Sequence, residues 1–485
     1  MDSSEQSPGL TEEQLQLAVR RSQMEVVSEK EIAGRIFDLA WPATAEAILQ
    51  TTIRMVTSAL LGHIPGYSAL AISASGLADR ITRLSWAFFT AVGTGATVMV
   101  ARSFGAGNEE RANAFAAQSL LLSAGLMAVI TLVLNLFAGG LIIALYNRDG
   151  AMDPELVALA ISYLRITAWG VPFTAVNQVI SALMRGAGNT KVTLVTNTSA
   201  NIVNVILGYA LIYGRWGAPA LGLTGAAVAT VVSQGTGAVI ALVIFFCIQK
   251  SIKVSIGQLK LQWAKVKDIF SIGVPHASET LLMQFGQIAL AGLIGSMGAV
   301  ELAAHTQGIT AESISYMPAM GFGIAATTLV GMSVGVGSVD LSVRYVKILV
   351  KWDVILTAFT ASFLIVIPKQ VFSLLSNDQD VVALGAIYLI IMGFCQIPQQ
   401  LTGVLAGVLR GGGDSKATLF NSMVGLWVVR IPLSFLFARV FGWGIIGVWS
   451  AMAIDLFVRF ALTFARYMGD KWKRAAYLIA GSTGR

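Results

Sequence analysis

Three glutamates stand inside apolar stretches of this 485-residue chain, each on a stripe of polar side chains with helical spacing. Glu46, Gln50 and Arg54 recur every four residues, with Thr57 continuing the stripe. His276 precedes Glu279 by three residues, and Thr280, Gln284 and Gln287 extend that polar face. His305, Glu312 and Tyr316 follow at steps of seven and four. Residues three or four apart share one face of a helix, so each set would point as a unit. Ionisable groups at membrane depth are costly and are functional candidates by default. A carboxylate enclosed by apolar helices favours its neutral form, so it can bind and release a proton or exchange it for a cation. Each set also has a structural reading: a permanent pairing of Glu46 with a neighbouring helix, a hydrogen-bond cluster around Glu279, a neutral packed His276.

The same accounting applies to the remaining charges in apolar stretches. Asp79 and Arg83 are four apart and suit a self-neutralised pair or a site, which leaves Arg80 over; Arg165 adds another cation. Asp455 and Arg459 repeat the four-residue spacing and read as a structural pair. Cys247 and Cys395 each lack a second thiol nearby and read as packing residues, not metal ligands.

What must position these groups is a bundle of membrane helices. Hydrophobic residues make up 55% of the chain and charged ones 12%, with a mean hydropathy of +0.72, too few charges to coat a soluble domain of this length. Stretches of roughly 20 apolar residues suffice to cross a bilayer. Twelve begin near Ile32, Leu70, Ala112, Leu156, Val192, Leu223, Val266, Leu302, Val343, Val381, Leu419 and Ile445.

The chain also repeats itself. Arg185-Gly-Ala-Gly188-Asn-Thr-Lys191 returns 225 positions later as Arg410-Gly-Gly-Gly413-Asp-Ser-Lys416. Pro42 and Glu46 are matched by Pro275 and Glu279 at 233, and Ala96-Thr97 with Gly105-Ala-Gly107 by Ala326-Thr327 with Gly335-Val-Gly337 at 230. The motifs keep their order, so an internal duplication organises the chain. Six spans per repeat is an even number, hence a parallel repeat about an axis near the membrane normal. The expected organisation is a polar segment 1–30 with a surface helix capped at Thr11-Glu-Glu-Gln14, an N-lobe 31–249, a charged linker 250–267, a C-lobe 268–474 and a tail 475–485 that reads as a linker or tag remnant.

Arg102, Arg111, Arg185, Lys191, Lys250 to Lys267, Arg344, Lys347, Lys351, Arg410 and Lys416 fall in even-numbered connections, while odd-numbered ones hold little beyond Arg148, Arg215, Lys369 and Arg439. The positive-inside rule then puts both termini in the cytoplasm. The net charge of +7 reports this topology and contact with anionic lipid, not nucleic-acid binding. The glycine-rich runs do not fit a phosphate loop, and no hydrolase or metalloprotease pattern is present, so neither nucleotide binding nor an enzyme is expected. Gly and Asn there suit tight turns at helix ends.

Ala96 through Asn108, the Arg185 turn, Glu301-Leu-Ala-Ala-His305, Glu312 through Pro318, Gly323 through Gly331 and Val429-Arg430-Ile-Pro432 together resemble the multidrug and toxic compound extrusion (MATE) family, over about residues 31 to 474. The resemblance implies an all-α membrane protein of twelve helices in two six-helix lobes around a central cavity. It also implies a multi-pass antiporter of the plasma (inner) membrane, exporting cationic or amphipathic compounds by alternating access on a sodium or proton gradient. The chain departs from the family at known coupling positions. Thr57 stands where one branch carries an aspartate, Gly208 stands four residues after Asn204 where that branch carries another, and Met283 replaces a glutamate eight residues past Pro275. Coupling is therefore expected through Glu46, Glu279 and Glu312, with protons favoured over sodium because no cluster of several oxygen ligands is evident. No cofactor is called for, the partners are a small molecule and the lipid bilayer, and a monomer is expected. The alternative is export of an anionic metabolite or lipid-linked phosphate along Arg54, Arg80, Arg83 and Arg165.

Overall fold

The computed structural model describes residues 27–62, 68–146, 153–375, 378–469, 471–473 and 477. The expected surface helix within 1–30 and the tail 475–485 lie almost wholly outside them. Among the described residues twelve long helical segments follow in order, α1 (Glu29–Gly62), α2 (Ser68–Gly105), α3 (Glu109–Tyr146), α4 (Pro154–Ala168 and Val171–Gly186), α5 (Lys191–Tyr213), α6 (Gly222–Ile248), α7 (Trp263–Gly295), α8 (Ala299–Gly335), α9 (Val339–Val366), α10 (Gln379–Gly411), α11 (Ser415–Val440) and α12 (Gly444–Met468), with short helices at Ile256–Leu259 and Pro368–Ser373 between them. Among the described residues eight are long and apolar enough to cross a membrane, and ten if α4 and α8 are each taken as one bent span. The remaining two, α1 and α7, are the helices that carry the Glu46 and Glu279 stripes.

The breaks follow the sequence. Pro172 cannot donate into the preceding turn, and α4 bends by 48° just before it. In α8 a bend of 49° falls between Met317 and Ala319, where Pro318 interrupts the run. Helix α11 carries wide π-type turns at Val424–Arg430 and Leu436–Val440, the first ending on a buried arginine.

Turn chemistry is the same in both halves. Gly188 and Gly413 take positive φ of 82° and 90°, and Gly107 and Gly337 take 73° and 80°. In each case the next residue's N–H reaches back to close the helix: Asn189 to Met184, Asp414 to Leu409, Asn108 to Ser103 and Ser338 to Ser333. This is the left-handed helix stop that glycine favours, and it explains why the duplicated Gly-x-Gly runs are turns.

The two halves meet at the end of the bundle that carries the chain ends, where Val27 and Ile32 of the first half share an apolar cluster with Tyr345, Leu409 and Trp472 of the second. Small residues let the backbones approach there, as in other membrane helix pairs. A Cβ on Gly273 would fall 1.8 Å from the Ala91 carbonyl oxygen, and one on Gly335 would fall 2.1 Å from that of Arg102. Polar bonds reinforce the seam: buried Arg102 donates to the Gly411 carbonyl at 3.0 Å, Arg344 to the Val27 carbonyl at 2.6 Å and Arg35 to the Tyr345 hydroxyl at 3.2 Å. Arg102 thereby caps the negative C-terminus of α10.

Gly273→Ala is expected to force α2 and α7 apart at this end, at a cost of about 1–3 kcal/mol. Paired spin labels at Glu110 and Lys267 should report longer distances; an unchanged distribution would show that closure does not depend on this glycine.

Candidate functional site

Glu46 and Glu279 occupy matching environments. Glu46, halfway along α1, accepts from Asn197 Nδ2 of α5 at 2.6 Å and from Gln50 Nε2 at 3.1 Å. Arg185, from the last turn of α4, is its electrostatic neighbour. Glu279 accepts from Ser422 Oγ of α11 at 2.6 Å and Thr418 Oγ1 at 3.3 Å, lies 3.3 Å from His276 Nδ1, and pairs with Arg410 at 3.7 Å. Asn197 and Ser422 are related by the same 225-residue offset as Arg185 and Arg410. In each half, then, a mid-helix glutamate is tied to the arginine of the repeated Arg-Gly-x-Gly turn. Glu46 lies about 12 Å along α1 from Asp38, which pairs with Lys191 at the helix end.

Glu312 has different company. It is 5% exposed and accepts hydrogen bonds from Tyr388 Oη at 2.6 Å and Gln396 Nε2 at 2.9 Å, both on α10. His305, one face along α8, packs edge-on against Tyr388 and faces Trp449 Nε1 at 3.3 Å. Glu312 borders a cavity of about 210 Å³ whose walls include Gln287, Tyr316, Met283, Met392, Met452 and Leu456. Of the polar stripe on α7, Gln287 reaches this cavity and Gln284 is exposed away from it.

Arg430 and Arg459 line the same cavity. Both contact the fully buried Asp455, Arg430 Nε at 2.7 Å and Arg459 Nε at 2.8 Å. The four-residue spacing of Asp455 and Arg459 therefore does bring them together, with a second arginine added from α11. Gly425 makes room for the cluster, since a Cβ there would fall 2.2 Å from Asp455 Oδ1.

Among the described residues the first half holds no equivalent carboxylate beside Thr57. Thr57 Oγ1 donates to Asn204 Oδ1 at 3.3 Å, and Asn204 Nδ2 donates to Ser233 at 3.2 Å and Thr230 at 3.4 Å. This is a neutral network at the position where related chains are expected to carry acids. Asp79 borders a small separate cavity with Thr82, Trp86 and Gln234. Arg80, Arg83 and Arg165 are exposed on the surface of the bundle. Arg54 lies on α1, and its side chain falls outside the described residues.

Several partners escaped the residue patterns. Tyr388 and Gln396 lie 76 and 84 residues from Glu312, beyond any local spacing. Arg185 and Arg410 read from sequence as topology signals, and Arg430 only as part of a motif.

A family model for MatE matches residues 42–210 and 275–436. The chain belongs to this family. It is a multi-pass membrane transporter by that membership. It is 29% identical over 448 residues to a probable multidrug resistance protein NorM of Thermotoga maritima, covering 92% of this chain and 95% of the relative. Among solved structures, an outward-facing multidrug resistance MATE transporter superposes with a TM-score of 0.83 at 21% identity, covering 93% of this chain and 98% of that one. A transporter from Pyrococcus furiosus, described as having a binding pocket of reverse polarity, superposes with a TM-score of 0.84 at 20% identity, covering 97% and 99%.

Asp455→Asn leaves two buried arginines without their countercharge and is expected to cost about 3–5 kcal/mol. Thermal unfolding in detergent should show a large drop, partly recovered in Asp455→Asn/Arg459→Met. Equal midpoints for wild type and Asp455→Asn would remove the cluster's structural role.

Proposed function

We propose that this chain is a secondary efflux antiporter that exports amphipathic organic cations in exchange for protons by alternating access. It does so in the plasma (inner) membrane with both termini cytoplasmic. The observation that carries the reading is Glu312, a buried carboxylate on a cavity whose walls mix methionine, leucine, isoleucine and tyrosine side chains with glutamines, a threonine and two arginines. Such walls suit an adaptable apolar body, and one acid suits its charge. The name of the Thermotoga relative points the same way.

Charge balance supplies the coupling. With Glu312 ionised, two acids and two arginines leave the site neutral; with Glu312 protonated, Asp455 cannot offset both Arg430 and Arg459, and the site is cationic. A proton arriving at Glu312 therefore expels a bound cation electrostatically, and a cation entering displaces the proton. Protons are preferred over sodium because a hard cation needs several oxygen ligands, and among the described residues no group of three or more acidic, histidine or cysteine side chains is gathered that could hold a metal ion. The paired Glu46 and Glu279 sites hold the helices that move. The site calls for no cofactor, and a monomer in the bilayer suffices.

A second reading rests on Arg430 and Arg459, which face the same cavity, and on the exposed Arg80, Arg83 and Arg165: export of an anionic metabolite or lipid-linked phosphate. Proteoliposomes separate the two. Ethidium should accumulate against its gradient under an imposed pH gradient at equal sodium, and Glu312→Gln should abolish the pH-driven component. Drive by sodium alone would overturn proton coupling. Tight binding of tetraphenylborate with none of tetraphenylphosphonium would replace the cation reading with the anion one.

A further inference from the structure

One acid of the second half belongs to none of the clusters above. Asp353 stands about four turns into α9, 0% exposed, and neither of its carboxylate oxygens has a hydrogen-bond partner among the described residues. Thr357, one turn further on the same buried stripe, is also 0% exposed, and its hydroxyl has no partner either. Leu349 lies on the same stripe one turn before, Ala361 one turn beyond Thr357, and both are buried.

The charges on the elements packed against α9 are engaged elsewhere. On α8, Glu312 is held by Tyr388 and Gln396; on α10, Arg410 pairs with Glu279; on α1, Arg35 bonds to Tyr345 and Glu31, and Asp38 to Lys191. Lys347 and Lys351 of α9 itself are exposed on its other face, and among the described residues no ion pair to Asp353 is formed. Taking an ion out of water costs several kcal/mol even after relaxation, and nothing here repays it. A carboxylic acid, by contrast, is neutral and can give its proton to the Thr357 oxygen one turn away.

We infer that Asp353 and Thr357 form a second proton-binding site of this transporter, separate from the Glu312 cavity, loaded with a proton while α9 is packed against α8 and α10. Losing that proton requires water to reach Asp353, hence separation of α9 from α8 or α10. The carboxylic acid then gives its proton to water and leaves a hydrated carboxylate. Proton release is thereby tied to helix movement and not to substrate contact. The inference rests on the antiport reading for its transport consequence, but not for the protonation itself.

Two measurements test it. Infrared spectra of the purified, lipid-reconstituted protein should contain a protonated carboxylic-acid band that is missing in Asp353→Asn and shifted, not lost, in Thr357→Val. Ethidium accumulation driven by a pH gradient should fall to the level of empty vesicles in Asp353→Asn and return in Asp353→Glu. Identical infrared spectra for wild type and Asp353→Asn would overturn the site. Wild-type accumulation by Asp353→Asn would overturn its part in coupling, and so would drive by sodium at equal pH that is lost in this variant. If the wild type moves no ethidium at all, the antiport reading fails while the infrared comparison still decides the site.

Discussion

A charge cannot be left alone inside a bundle of apolar helices, and most of this molecule's internal arrangement follows from that constraint. Asp455 is fully buried with an arginine on each oxygen, Glu279 faces Arg410, and Glu46 faces Arg185. Glu279 and Arg410 lie three spans apart and Arg430 and Asp455 on consecutive helices, so neutralising the charge also ties helices together. Glycine at the crowded positions, Gly425 beside Asp455 for one, is what allows helices to come near enough.

Some buried carboxylates have no direct ion pair among the described residues, and function is best sought among them. Glu312 has hydrogen-bond donors but no direct ion pair, on the wall of a cavity. Asp353 has no partner at all among the described residues. On the proposed reading Glu312 and Asp353 change their charge, and each change alters which neighbours the helix tolerates. The first half, with Thr57 bonded to Asn204, keeps a neutral network in the corresponding region. The duplicated scaffold is thus asymmetric in its chemistry, and the proposed proton exchange falls to the second half.

The scaffold was legible from sequence because its signals are local. Apolar runs marked the helices, and the Gly-x-Gly runs marked turns that the backbone angles at Gly188 and Gly413 require. The site was legible only in part. The stripe of His305, Glu312 and Tyr316 lies on one helix and could be read from spacing. Its partners Tyr388 and Gln396 come from a helix two spans later, where no spacing rule reaches. Arg185 and Arg410 obeyed the positive-inside pattern, which concealed that they also serve as countercharges. Asp353 went unnoticed because Lys351 beside it reads as the edge of a loop; in the structure α9 starts at Val339, which carries Asp353 deep into the bundle.

The central claim is that a proton and a cation compete for Glu312. Calorimetric titration of the purified protein with tetraphenylphosphonium, in buffers of different ionisation enthalpy, counts protons released on binding. The account predicts proton release from the wild type and none from Glu312→Gln. Equal proton release from both proteins, or cation binding by the wild type with no release at any pH, would contradict it.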